Sequence, residues 1–172
     1  YRTGEVTLLC SIEDFFTKAQ VDANGHGLWK KNDTIIVLTA SGKPVPFALD
    51  GTGETKRALF KGVIPSGETL GSLAVYPSSA FVGYADGKVS VRTPSLYSQE
   101  DNKFCGVMVS RIEDSFEITF QQLFSYANIT FTRFPVKAKT LVLKEDGRRI
   151  SGDFVFDEVT GAATGITAVE GT

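Results

Sequence analysis

Apolar side chains recur at every second position of this chain, in short runs ended by Gly, Pro, Asn or Asp, and almost nowhere at helical spacing. A period of two sends successive side chains to opposite faces of a strand, which restricts the chain to an all-β architecture of antiparallel strands with one buried face. Val6, Leu8, Cys10 and Ile12 share one face of a first strand. Phe116, Ile118 and Phe120 alternate with Glu117 and Thr119, and Ala127, Ile129 and Phe131 alternate with Asn128, Thr130 and Thr132. Leu28–Leu38 is different: a lone Trp29, a polar turn with Asp33, then Ile35 to Leu38, apolar on both faces as a central strand is. No helical stretch is long enough for the crossover of a parallel βαβ unit.

Shorter pieces fill the remainder. Strands are expected around Pro46–Leu49, Arg57–Lys61, Ser72–Tyr76 and Phe104–Ile112, and Asp86–Gly87 is a strong hairpin signal between Phe81–Tyr84 and Val89–Val91. Gly51–Lys56 (GTGETK) reads as a flexible hairpin tip and Gln121–Ser125 as one short helical turn. The pattern changes near Phe134–Pro135. Thr140–Lys144 and Asp153–Phe156 flank a polar turn as a further hairpin, followed by a Gly-, Ala- and Thr-rich tail with little to bury. A lone hairpin is not stable by itself. It docks on the preceding strands or opens a second domain, and the second arrangement is expected: residues 1–135 as one β-sandwich, then 136–172 as the start of a second β domain (hairpin 140–156) with a flexible tail.

Composition removes several function classes. A net charge of -2 with no basic run argues against nucleic acid, whose phosphates need clustered Lys and Arg. No apolar run approaches the roughly 20 residues of a membrane helix. Thirteen Phe against one Met, one Trp and one His suits strands and sandwich cores. With no initiator Met and no leader, the chain reads as a mature or engineered fragment. Cys10 and Cys105 lie in strand-like runs; two buried thiols are expected, the alternative being a disulfide that would imply an oxidising compartment.

Reactive chemistry is hard to assemble from these residues. His26 stands in the turn-forming NGHG of Asn24–Gly27, without a nucleophile and acid placed against it. One His and two separated Cys do not make a zinc site, and no cofactor is expected. GTGETK lacks the spacing of a phosphate loop. The acidic pairs, such as Glu13–Asp14 and Glu113–Asp114, abut turns, where solvated carboxylates are ordinary, and calcium-loop spacing is absent. Asn32-Asp33-Thr34 and Asn128-Ile129-Thr130 match the N-glycosylation pattern, a weak signal beside strands. Trp29, Tyr76, Tyr84 and Tyr97 are candidates for a sugar-stacking platform; the plainer reading packs Trp29 at the sandwich edge and has Tyr76 close a strand.

In order and spacing these landmarks resemble the fimbrillin family, subunits and accessory proteins of the type V pili of Bacteroidetes. The resemblance is carried by IEDFFTKA (Ile12–Ala19), Trp29, Asp33, Ile35 and Val37, the F-x-G of Phe60 and Gly62, and Ala74–Pro77. It continues through Gly87–Pro94, Met108, Phe116 and Phe120, and an A-x-I strand, over roughly residues 5–157. It implies a transthyretin-like, Greek-key β-sandwich in an exported lipoprotein at the outer membrane or in the fimbria. The implied role is structural or adhesive and not enzymatic, through strand exchange with other pilus subunits after N-terminal trimming. A host surface protein or glycan is a further implied partner, and a non-polymerising carbohydrate-binding module is the alternative. Val6, Leu8, Trp29, Ile35, Val37, Phe116, Ile118, Phe120, Ile129 and Phe131 are the expected core and groove lining.

Overall fold

The computed structural model describes residues 4–13, 28–93, 106–123, 132 and 152–157, together with the backbone of 163–166. The first half supplies strands β1 (Gly4–Ile12), β2 (Trp29–Lys30), β3 (Thr34–Thr39), β4 (Pro44–Asp50), β5 (Gly53–Thr55) and β6 (Arg57–Ile64). Next come β7 (Leu70–Tyr76), a 3-10 turn at Ser78–Ala80, β8 (Phe81–Ala85) and β9 (Lys88–Thr93). Four more follow among the described residues: β10 (Met108–Arg111), β11 (Glu117–Gln122), β12 (Gly152–Asp157) and β13 (Ala163–Ile166). The protein is all-β over these residues, and no helix among them is long and apolar enough to cross a membrane.

Seven strands close on themselves in the order β1-β11-β10-β7-β3-β4-β6. A four-stranded sheet, β13-β12-β9-β8, and a two-stranded ribbon, β2-β5, complete the architecture. Closure departs from the open antiparallel sheets expected of the sequence. It depends on β1, which runs antiparallel to β6 on one side and parallel to β11 on the other. An antiparallel partner is enforced only where a short hairpin joins two strands. More than a hundred residues separate β1 from β11, so direction there is free.

Burial follows the alternation. Val6, Leu8, Cys10 and Ile12 point into the barrel, where they meet Phe47, Phe60, Ile64, Met108, Ile118 and Phe120 in one core. β3 and β7 are apolar on both faces because both faces are covered. Ile35, Val37, Ala74 and Tyr76 face the barrel interior. Leu38, Leu73 and Val75 face outward into a second core with Val89, Val91, Phe154 and Phe156 of the small sheet. The hairpin between β8 and β9 turns at Asp86 (φ 52°) and Gly87 (φ 71°), the paired positive φ of a two-residue type I′ turn. Prolines 44 and 46 are tolerated in β4 because β6 registers only from Ala48 to Asp50, leaving the proline end paired with β3 alone.

Several expectations need correcting. Phe116 is 38% exposed, not core. Alternation directs a side chain inward only while the chain is extended, and β11 begins one residue later at Glu117. Gln121 and Gln122 continue β11 through pairing with Val109 and Met108 and are not helical. Gly53–Thr55 is no loose tip, since it registers against Trp29 and Lys30 as β5. In the tail, Ala163–Ile166 adds a strand to β12. β12 itself pairs along its whole length with β9, and its Phe154 and Phe156 enter the second core. Residues 136–151, on which a division of the chain into two domains turns, lie outside the described residues.

Ile118 (4% exposed) and Phe116 make a paired test of this placement. Ile118→Ala is expected to cost about 2–5 kcal/mol in urea unfolding, whereas Phe116→Ala should cost under about 1 kcal/mol. Equal losses would contradict the start of β11.

Candidate functional site

Five of the residues singled out in the sequence, Trp29, Asp33, Phe60, Gly62 and Tyr76, converge where β1 is seated. β1 lies between β6 and β11, with eight residue pairs registered to β6, from Gly4↔Ile64 to Ser11↔Arg57, and four to β11, from Leu9↔Glu117 to Ile12↔Phe120. Its inward side chains fill a slot walled by Phe60 and Ile64 on one side and Ile118 and Phe120 on the other. Trp29 stands inside this slot, fully buried. Its ring meets Phe60 (centroids 4.9 Å apart), Tyr76 (5.2 Å) and Phe120 (5.4 Å), each edge to face. Its Nε1–H donates to the backbone carbonyl of Cys10 at 2.9 Å. Trp29 is therefore central, not at an edge as the sequence suggested, because the β2–β5 ribbon carries it into the barrel.

Asp33 explains its distance from Trp29. One carboxylate oxygen accepts the Lys30 N–H at 2.7 Å, closing the turn after β2, and the other accepts the Tyr76 hydroxyl at 3.3 Å. Burial pushes this carboxyl above the ordinary aspartate range, against the pull of the Lys30 N–H, the Tyr76 hydroxyl and the Lys30 charge. Thr34 and Ser78 join their hydroxyls at 2.5 Å, fixing the segment after Tyr76 to the start of β3. The glycine of F-x-G has its own reason. A side chain at Gly62 would run into the Phe47 ring, which lies across Gly62 beside Val6. Trp29, Asp33, Phe60, Gly62 and Tyr76 thus form one unit that shapes the slot.

Of the expected residues, Val6, Leu8, Trp29, Ile35, Val37, Ile118 and Phe120 come together in this core. Phe116 sits outside it, and Ile129 and Phe131 lie outside the described residues, as do His26, Tyr97 and Cys105. Phe47 was missed, although its signal is present in PVPFALD, where Val45 and Phe47 alternate with exposed prolines. Trp29 and Tyr76 are buried and hydrogen-bonded, so neither offers a face for stacking on a sugar.

The slot offers β1 main-chain pairing on both sides and an apolar lining. Cys10 is a free thiol, and burial pushes it up to about 12, which holds it protonated and unreactive at neutral pH. Among the described residues no three His, Cys, Asp or Glu side chains group as metal ligands. A second concavity, about 550 Å³, follows the seam between β10 and β11, lined by Val109, Arg111, Glu117, Gln121, Leu123 and Phe156 among others. The β10–β11 ladder registers only Met108↔Gln122 and Val109↔Gln121, so the strands part there.

On the small sheet, Arg92 of β9 grips Asp153 of β12 through two bonds, Nε to Oδ1 at 2.5 Å and Nη2 to Oδ2 at 2.8 Å. The Arg92 guanidinium holds the Asp153 carboxyl below the usual carboxylate range. A depressed folded pKa makes the stabilisation complete above the unfolded value, about 3.9, and removes it as pH falls through the lower folded value. Asp153→Asn is expected to lower Tm by a few degrees at pH 7, and the difference from wild type should vanish under strong acid. A difference that stayed constant with pH in thermal melts would contradict the ion pair.

The chain matches no family model, no curated protein and no solved structure.

Proposed function

We propose that this protein is a structural or adhesive subunit of a fimbrillin-type surface pilus, exported to the cell surface and assembled by β-strand addition once its first strand is released. The observation that carries the reading is the position of β1. A single strand near the start of the chain closes the sheet and supplies four core side chains, between two strands that are not paired with each other in the sheet. Without β1 the ring opens into a six-stranded sheet, β11-β10-β7-β3-β4-β6, folded over an exposed apolar slot. Unpaired backbone on β6 and β11 and an unfilled core are the two ingredients of strand addition. Assembly of this kind needs no catalytic group.

Electrophoresis of the intact product, unboiled and boiled, before and after limited trypsin trimming, tests the proposal. A detergent-resistant ladder that appears on trimming and collapses on boiling is expected. A single monomer band in every lane would overturn it.

A further inference from the structure

Resting on that strand-exchange reading, we propose that the slot selects the direction and register of the incoming strand: it enters in β1's own direction, presents a main-chain carbonyl to Trp29 Nε1, and carries a small side chain at the position of Cys10. The partner is thus an extended segment of a neighbouring subunit with the pattern apolar-x-apolar-x-small-x-apolar, the pattern that Val6, Leu8, Cys10 and Ile12 set in β1.

Direction follows from the two ladders. In the native sense the longer ladder, eight pairs to β6, is antiparallel and the shorter, four pairs to β11, is parallel. Reversal would make the longer ladder parallel, the less stable kind per residue. Trp29 adds a local anchor. The N–H of Ile12 donates to Lys56 just before β6 (3.1 Å), whereas those of Leu9 and Glu13 donate to Phe116 (2.8 Å) and Phe120 (3.0 Å) on the β11 side. Even-numbered residues, whose side chains point inward, therefore turn their backbone groups toward β6, and the Cys10 carbonyl meets Trp29 there. A reversed strand that kept its apolar side chains inward would bring the carbonyl of a neighbouring outward-facing residue to nearly the same point on the β6 side, so Trp29 fixes where a carbonyl must stand while the ladders fix direction. A strand that offers no carbonyl at that point leaves the fully buried indole N–H without an acceptor, a costly loss away from water.

Register needs a second device, because a slip of two residues brings an equivalent carbonyl to Trp29. Cys10 supplies it. Its side chain is the smallest of the inward four and is fully buried in the same core as Trp29, Phe60 and Phe120. A slip of two would place Leu8 or Ile12 there, and a packed interior resists the added volume.

The test uses the whole chain with a specific protease site inserted between residues 13 and 28, cleaved so that β1 remains as a non-covalent strand. Fluorescein-labelled peptides are offered in exchange: residues 4–12, the same sequence reversed, residues 4–12 with Cys10→Phe, and a scrambled control. Anisotropy is expected to show uptake of the forward peptide at least about tenfold above the reversed and Cys10→Phe peptides. In Trp29→Phe protein, which lacks the indole donor, uptake of the forward peptide should weaken; if that variant does not fold, the three peptides on wild type still decide. Equal uptake of forward and reversed peptides, undiminished forward uptake in folded Trp29→Phe, or no uptake above the scrambled control would overturn the proposal. The gel ladder reports separately on pilus assembly. Preferential forward uptake without a ladder would sink the pilus reading and leave the slot's selectivity standing; a ladder with equal uptake would do the reverse.

Discussion

Trp29→Ala is expected to be among the most destabilising single substitutions in the chain, costing about 3–5 kcal/mol or more in urea unfolding. The side chain is fully buried, and its removal empties the meeting point of Phe60, Tyr76 and Phe120. Three kinds of loss combine: transfer of a large aromatic surface, the cavity left behind, and edge-to-face contacts worth roughly 0.5–1.5 kcal/mol each. The Cys10 carbonyl also loses its indole donor. Trp29→Phe keeps most of the apolar volume but not that bond, so a smaller cost, about 1–3 kcal/mol, is expected. A loss within roughly 0.5 kcal/mol for the alanine variant would place Trp29 on the surface and undo the slot.

The second large effect comes from two adjacent leucines. Leu8 is fully buried between Phe60 and the barrel interior, while Leu9 is half-buried on the outer face, registered against Leu59 and Glu117. Lysine at position 8 would bring an ammonium into a closed apolar core without a partner, so Leu8→Lys is expected to cost more than about 4 kcal/mol or to prevent folding. Lysine at position 9 would project outward beside the Glu117 carboxylate, and Leu9→Lys should stay within about 1 kcal/mol. Circular dichroism and denaturant midpoints of the pair distinguish the cases. Comparable losses would mean that the register of β1 is displaced, since one step exchanges its faces.

Local periodicity made much of the fold legible. The inward face of β1, the two-sided burial of β3 and the Asp86–Gly87 turn all follow from residues within one strand or hairpin. Pairing between distant strands leaves no such trace. Nothing in GEVTLLCSI or EITFQQ says that β1 and β11 lie side by side and parallel, so closure of the sheet was not readable. The interior position of Trp29 was hidden for a related reason. β2 is two residues long, too short for alternation to show a face, and its partner β5 reads as a glycine-rich turn. Phe116 shows the opposite error, a perfect alternation continued one residue past the end of a strand. Within the candidate site, Trp29, Asp33, Phe60, Gly62 and Tyr76 stood out individually, but only their convergence on one slot assigns them a common purpose.

The central claim, that β1 is the strand released on assembly, is tested most directly by fastening it in place. Glu5 of β1 and Val63 of β6 are registered partners, both exposed on the outer face. As an odd-numbered pair they fall between the backbone bonds of the ladder, where Cα atoms approach to about 4.5 Å and a disulfide fits. In Glu5→Cys/Val63→Cys protein, trimmed and oxidised, β1 stays covalently attached and no detergent-resistant ladder should form; reduction should restore the ladder. An equally strong ladder with β1 locked would show that assembly does not use this slot.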